Sequence, residues 1–382
     1  MHFALENELD LIRQTAAEFA ASELEPNAAR WDAEERFPRE AIAKAAELGF
    51  LGMTVPEAYG GSELGNLALS VVLEELNRAC ASTGVTVSVH NSLVCTPLAK
   101  FGTEAQKQKF LPGLASGEIL GAYSLTEPQA GSDAANQQTF AERRGDEYVI
   151  NGTKIWVTSG DQAGLVLLYA RTDRSERSKG ISAFLVDRRD PRAAGLRIGT
   201  KEKKMGIRGS STVELVCEDL RVPADHLLGK PGDGFKIALD TLDGGRIGIA
   251  SQAVGIGRAC LEASIKYAKE RQQFGKAIAD FQAIQWKLAD MATELDAARL
   301  LVHRAAWMRD RGERCSAQAA MAKLFASKAA NRAADEAVQI HGGAGYTTDF
   351  PVERFFRDAR ITEIYEGATD IQRLVIARSL LG

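Results

Sequence analysis

The stretch ITEIYEGATDIQR, residues 361–373, places one carboxylate, Glu366, between Tyr365 and Gly367. Such a glutamate is either a solvated residue at a helix end or a general base that a substrate must reach. The surrounding pattern fixes its position in the chain. In PVERFFRDA the proline opens a helix, and Val352, Phe355, Phe356 and Ala359 follow helical spacing that fades after Arg360. TDIQ, Thr369 to Gln372, has the form of a capping box, which predicts a second helix starting there. Glu366 therefore falls in a short connection just before a helix N-terminus. Loops held by rigid elements commonly carry catalytic side chains, although most loop glutamates are solvated and inert.

Other stretches could hold a ligand. YSLTEPQAGSD (123–133) has a strand-like start, a Pro-Gln-Ala-Gly turn and then Ser132-Asp133. Backbone amides and hydroxyls in such a turn can hold a phosphate or a polar ring edge, and a plain interdomain turn is the alternative. In TKIWVTSG a period of two puts Lys154, Trp156 and Thr158 on one face, either lining a planar cofactor or packing a core. GIGRAC (255–260) begins like a dinucleotide-binding fingerprint, but it lacks the third glycine and lies inside a helical pattern with no strand before it. Helix packing is the better reading. GKPGDGFK (229–236) reads as a turn before a helix. QIHGGAGY (339–346) reads as a helix end and loop, where glycine would also permit close approach of a ligand.

These segments need elements to position them, and the chain divides into three parts. Residues 1–120 are helical in pattern, with Leu9, Ile12, Ala16, Phe19 and Ala20 at helical spacing within ENELDLIRQTAAEFAASEL. Helical patterns recur at FPREAIAKAAELGF, NLALSVVLEELNRAC and 84–101. Residues 121–229 read as a compact all-β unit, in which Asn151-Gly152 predicts a hairpin turn between two strands, followed by LVLLYAR, ISAFLVD and STVELVCED. Residues 230–382 are helical again. A first helix of ~35 residues, ~50 Å long, has a start weakened by Gly244 and Gly245; two further long helices and two short ones follow. The fold class is thus α+β, and the small-residue faces of the long helices suit a bundle that also packs against another subunit.

Bulk properties narrow the function. The 382 residues are 45 % apolar and 26 % charged with a net charge of −4, as expected of a globular protein. No basic run points to nucleic acid. No apolar run is long enough for a membrane span, the longest being LVLLYA at 165–170. The acidic N-terminus (Glu6, Glu8, Asp10) argues against a signal or transit peptide, so a bacterial cytoplasmic location is expected, or else the matrix as a mature mitochondrial protein. Cys80, Cys95, Cys217, Cys260 and Cys315 form no CxxC and read as reduced thiols, and the scattered histidines predict no metal site.

Taken together, YSLTEPQAGSD, NGTKIWVTSG, KKMGIRGSST, ERQQFGKAI, QIHGGAGY and RDARITEIYEGATDIQRLVIA resemble the acyl-CoA dehydrogenase family, in family order over nearly the whole chain. LDGGRIGIA at 242–250 resembles the short-chain, butyryl-CoA-type members most. The resemblance implies a helical N-terminal domain, a β-barrel-like middle domain, a C-terminal four-helix bundle, FAD, and a homotetramer built as a dimer of dimers. It implies that Tyr123, Leu125, Thr126, Gly131, Ser132, Trp156 and Thr158 surround the flavin ring, with Ala368, Thr369 and Asp370 also at cofactor positions. Arg271, Phe274, Gln282, Gln339, Gly342 and Gly343 match positions that hold the ADP half of a neighbouring subunit's FAD, and a guanidinium at 271 suits pyrophosphate. Ser132, Asp243, Arg246 and Gly367 match substrate positions.

By the same resemblance Glu366 abstracts the α proton of a short acyl-CoA, flavin N5 accepts the β hydride, trans-2-enoyl-CoA is released, and electrons pass to an electron-transfer flavoprotein in fatty-acid β-oxidation. The thioester carbonyl would rest against the flavin ribityl 2′-hydroxyl and the base's own N–H. Some relatives carry the base on the long helix at the position of Gly245, which leaves Glu366 as the only candidate here. Glutaryl-type relatives need an arginine near the substrate tail, and GVTVSVHNSLV (84–94) has none. Most members have threonine where this chain has Ala368, which removes a hydroxyl next to the flavin. An acyl-CoA oxidase, or a catalytically silent flavin-fold binding protein, would share the scaffold; a nitroalkane oxidase would carry aspartate at position 366.

Overall fold

The computed structural model describes residues 7–382; Glu6, where the first expected helix begins, lies outside them. The N-terminal third is helical: α1 (Asn7–Phe19), α2 (Glu25–Ala33), α3 (Arg39–Glu47), α4 (Gly65–Ala79), α5 (Ala81–Val89), α6 (Thr96–Phe101) and α7 (Glu104–Ala115). The spacing read in α1 is the one that packs: Ala16, Phe19 and Ala20 are buried, and Leu9 and Ile12 lie against the same core as Trp31, Phe50 and Leu73. Between α5 and α6 a π-helical turn, His90–Cys95, carries buried side chains. His90 links this region to the sheet, because the Gly121 N–H donates to its Nδ1 at 3.0 Å. Its Nε2 then donates to the Leu114 carbonyl at 3.0 Å.

The middle third is a mixed sheet of β1 (Gly121–Ser124), β2 (Phe140–Arg144), β3 (Glu147–Thr158), β4 (Leu165–Arg171), β5 (Ile181–Asp187), β6 (Leu196–Lys201), β7 (Thr212–Pro223) and β8 (Leu227–Leu228). The strand order is β6-β7-β3-β2-β4-β5-β8, with β1 parallel to β4. The run LVLLYA is buried throughout because β4 is a central strand. Asn151-Gly152 does not form a hairpin turn. β3 runs straight through it, and the tight turn lies at Gly145-Asp146, where Gly145 (φ 67°) supplies the positive φ that a two-residue loop needs. Asn151 bonds across to β7 instead: its Oδ1 accepts from the Asp219 N–H at 2.8 Å and its Nδ2 donates to Asp219 Oδ1 at 3.1 Å, beside a register shift at Ile150/Gly152.

The last third is helical again, with α8 (Gly234–Glu270), a small hairpin of β9 (Gln272–Gln273) and β10 (Lys276–Ala277), then α9 (Gln282–Asp310), α10 (Ser316–His341), α11 (Val352–Arg360) and α12 (Thr369–Leu381). α8, α9 and α10 pack on one another and α12 packs on α10, which gives the expected four-helix bundle. α8 is a single helix of 37 residues that begins well before Gly244 and Gly245, so these two glycines lie inside it rather than at its start. GIGRAC is helix packing, as read: a Cβ at Gly255 would lie 2.5 Å from the Glu74 carbonyl oxygen of α4, and one at Gly257 would lie 2.3 Å from Leu295 Cδ2 of α9. No helix among the described residues is long and apolar enough to cross a membrane.

Candidate active site

Glu366 lies in the connection between α11 and α12, as its flanking patterns predict. The connection is tightly pinned. Glu366 and Gly367 both have positive φ, 51° and 90°. For a glutamate that conformation is uncommon and is held only where the surroundings impose it. Two donors impose it here: Lys323 Nζ of α10 and Gln372 Nε2 of α12 each reach the Gly367 carbonyl at 2.7 Å. The capping box does not form. Ala368 is the N-cap and offers no side-chain acceptor, Thr369 is already helical, and Gln372 turns back to the 366–367 carbonyls. The Thr369 hydroxyl donates to the Glu363 carbonyl at 3.2 Å, so it is engaged within the loop.

This backbone turns the Glu366 carboxylate into the protein. Its Oε2 is shielded from solvent and has no hydrogen-bond partner. Burial pushes its pKa up to about 7, against the pull of Lys323 and Arg246. Gly245 on α8 makes the space, since a Cβ there would lie 2.6 Å from Glu366 Oε2 and 2.9 Å from Leu93 Cδ2. Gly245→Ala is therefore expected to fold but to displace the carboxylate, lowering kcat/KM by about 10²-fold, because misplacement by ~1 Å costs that much. Wild-type kinetics from this variant would contradict the assignment.

Other groups enclose the carboxylate. Arg246 and Asp243, both buried on α8, pair at 2.6 Å, and Asp243 Oδ2 accepts from Ser316 Oγ at 2.5 Å. Arg246 keeps one buried donor, Nε, without a partner. The Tyr365 hydroxyl donates to Gln252 Oε1. Tyr123 sits edge-on to Tyr169 with ring centroids 5.3 Å apart, and its hydroxyl is buried without a partner. Burial, followed by the nearby Glu366, raises the Tyr365 phenol; for Tyr123 burial leads, with Tyr169 and Glu366 adding to it.

The 123–133 turn has its own internal brace. Lys154, fully buried on β3, donates to Glu127 Oε1 at 2.8 Å, Gln137 Oε1 at 2.8 Å and the Leu125 carbonyl at 3.0 Å. Glu127 also accepts from the N–H groups of Gln138 and Thr139. Burial alone would raise the Glu127 carboxyl, but the Lys154 charge and these bonds leave it below its usual value. The Ile155 N–H donates to the Thr126 carbonyl at 2.9 Å, which ties β3 to the turn. Leu125 is buried, Thr126 half-buried, and Gly131 and Ser132 exposed. The expected shared face of Lys154, Trp156 and Thr158 is not formed. A register shift between Lys154 and Val157, with Trp156 at φ 60°, turns Lys154 inward and leaves Trp156 56 % exposed.

A second group lies on the outside of the chain. Arg271 and Phe274 are in the small hairpin, Gln282 starts α9, and Gln339, Gly342 and Gly343 end α10; all are exposed, Phe274 at 93 %. None of them shares a hydrogen bond with Glu366 or with the groups that enclose it. Gly342 (φ 58°) caps α10 as read, and neither it nor Gly343 has a neighbour within 4 Å of a built Cβ. Asp370 is exposed and pairs with Arg373 at 2.6 Å.

Comparison with known proteins decides the family. The acyl-CoA dehydrogenase N-terminal, middle and C-terminal domains match residues 6–118, 122–220 and 232–381. The chain belongs to the acyl-CoA dehydrogenase family. It is 52 % identical to the mitochondrial short-chain specific acyl-CoA dehydrogenase of Mus musculus, over 97 % of this chain and 89 % of that one. The butyryl-CoA dehydrogenase structure of Megasphaera elsdenii superposes with a TM-score of 0.97 at 44 % identity, covering both chains fully. A chain from a structure of the electron transferring flavoprotein of Acidaminococcus fermentans gives 0.98 at 48 % identity, again over both full chains.

Within this acyl-CoA dehydrogenase fold, sequence reasoning missed Lys323 altogether, and it named Lys154 without its ion-pair partner. Lys323 stands in helical register with Ala319, Ala326 and Ala330, a buried stripe of small residues, and that register is the signal that marks it as internal. Lys154 carries no comparable local signal, because its partner Glu127 comes from a distant turn. Among the described residues no cluster of His, Cys, Asp or Glu could hold a metal ion.

Proposed function

We propose that this acyl-CoA dehydrogenase oxidises a short-chain acyl-CoA to its trans-2-enoyl-CoA with Glu366 as the base. One observation carries the reading: a solitary carboxylate oxygen, shielded and unpartnered, whose pKa is pushed up to about 7. A base for a weakly acidic C–H works best when its pKa lies near the operating pH. Glu366 Oε2 would take the α proton. The N–H of Glu366 finds no acceptor among the described residues and would donate to the thioester oxygen as charge develops there. Leu93 and the Gly245 backbone confine the space beside the carboxylate, which favours a short acyl chain. Residues 84–94 supply only His90 as a titratable group. Burial lowers its pKa to about 4 and keeps it neutral, so no cation awaits a dicarboxylic tail.

The residues present fit FAD. The exposed Trp156 indole offers a π face for a planar polar ring, the half-buried Thr126 and Thr158 offer hydroxyls from the turn and the strand end, and Ser132 is exposed on that turn. Bound FAD supplies the acceptor, at N5, for the β hydride. Tyr123, Leu125, Gly131 and the Ala368–Asp370 segment would complete the ring site. Arg271, Phe274, Gln282, Gln339, Gly342 and Gly343 would hold the ADP half of a partner subunit's FAD, since they are all exposed on the surface of this chain. Asp243, Arg246, Ser132 and Gly367 would serve the substrate, Arg246 through its remaining Nε donor.

We place domain boundaries at 1–120, 121–229 and 230–382, consistent with the break between α7 and β1 and that between β8 and α8. The exposed Phe274, Trp286, Trp307, Leu380 and Leu381 support a homotetramer, a dimer of dimers, and a monomer by light scattering would contradict it. An electron-transfer flavoprotein is the proposed acceptor, by analogy with the Acidaminococcus fermentans structure.

The direct test is product analysis. Butyryl-CoA incubated with the enzyme and an artificial electron acceptor should lose two hydrogens and give crotonyl-CoA; unchanged substrate would overturn the reading. The pH profile gives a second test. The base must be ionised, so kcat/KM should rise about tenfold per pH unit up to a limb near pH 7 and then level off. A profile flat through that limb would remove Glu366 from the reaction.

A further inference from the structure

Lys323 is fully buried, and its one acceptor among the described residues is the neutral Gly367 carbonyl, 2.7 Å from Nζ. A buried ammonium without a carboxylate partner is costly, and such groups are kept where they serve a nearby opposite charge. The opposite charge here is Glu366, whose Oε2 has no partner of its own. The remaining charged groups facing the site are already engaged. Arg246 of α8 is paired with Asp243, which also accepts from Ser316. Glu363, in the turn after α11, is paired with Arg360. Tyr365 and Tyr123 are neutral phenols held well above their usual range. Lys323 is thus the uncommitted cation beside an uncommitted carboxylate.

We propose that Lys323 is a positioning residue for the dehydrogenation: Nζ anchors the Gly367 carbonyl, and with it the Glu366 backbone, while its charge keeps the Glu366 carboxylate ionised before an acyl thioester covers it. This rests on the reading of Glu366 as the base. Burial lowers the Lys323 pKa to about 8 and raises that of Glu366 to about 7, so the two charges coexist in a window around neutrality. A nearby cation lowers a carboxylate's pKa, so removing Lys323 must move the Glu366 titration upward.

The test uses Lys323→Met, Lys323→Gln and Lys323→Arg as FAD-loaded holoenzymes. In Lys323→Met the acid limb of kcat/KM should move up by about one pH unit, an approximately tenfold loss near pH 6 that shrinks above pH 8. Lys323→Gln keeps a donor for Gly367 but not the charge, so it should show the same limb shift with less loss at high pH; it also carries the test if Lys323→Met does not fold. Lys323→Arg should return the limb toward wild type. A second readout does not depend on turnover. The infrared C=O stretch of protonated Glu366, identified by its absence in Glu366→Gln, should titrate at higher pH in the charge-free variants. A uniform loss at every pH with an unmoved infrared titration would reduce Lys323 to a brace and overturn the proposal. A wild type inert toward every acyl-CoA would instead overturn the reading of Glu366, while the infrared titration would still report whether Lys323 sets its ionisation.

Discussion

Glu366→Gln is expected to lower kcat by about 10²–10⁴-fold while the protein keeps its fold and its FAD. The amide has nearly the shape of the carboxylate and can occupy the same space beside Gly245, so geometry is preserved and only the proton acceptor is lost. Stability should move the other way. The folded-state pKa of Glu366 is raised above the unfolded value, so the folded chain binds more protons. Ionising the carboxylate therefore costs stability as pH rises from the ordinary glutamate range through about 7, and the full cost is present above that. A neutral amide avoids it, and the variant should be more stable near pH 8 by about 2 kcal/mol, after allowing for partial solvent screening at a residue that is not fully buried. Thermal unfolding across pH checks this. A destabilised variant that also loses FAD would mean that Glu366 is structural.

The second large effect is expected at Lys154→Met. Lys154 and Glu127 are both buried, and the three acceptors of Nζ lie on the 125–137 segment, which includes the turn proposed to hold the flavin ring. Removing one partner of a buried ion pair leaves the other charge uncompensated, at about 3–5 kcal/mol. Because the lysine spans from β3 to the turn, the loss should appear both as a lower melting temperature and as weaker FAD retention during gel filtration. The double variant Lys154→Met/Glu127→Leu removes both charges and should recover part of the stability. A single variant with wild-type melting and FAD content would show that the pair contributes nothing to the turn.

Much of the site was legible because its signals are local. The fading periodicity after Arg360 and the restart at Thr369 placed Glu366 in a loop between helices, and those two patterns depend only on neighbouring residues. Local signals misled where a distant strand or helix supplied a better partner. Asn151-Gly152 has hairpin chemistry, but Asn151 is satisfied by Asp219 on β7, so the strand continues. TDIQ has capping-box chemistry, but Gln372 finds the Gly367 carbonyl, shared with Lys323 from α10. The alternation around Trp156 failed because a bulge breaks it. Lys323 and Lys154 meet their partners, the Gly367 carbonyl and Glu127, only through tertiary packing.

The central claim is that this chain removes a proton and a hydride from a short acyl-CoA, using Glu366 as base. Anaerobic mixing of the FAD-loaded protein with butyryl-CoA tests it most directly, with the flavin's visible absorbance as the readout. Rapid bleaching in the wild type, abolished in Glu366→Gln with FAD still bound, is the predicted result. An absorbance unchanged by butyryl-CoA and by a panel of longer and branched acyl-CoAs, despite bound FAD, would contradict it.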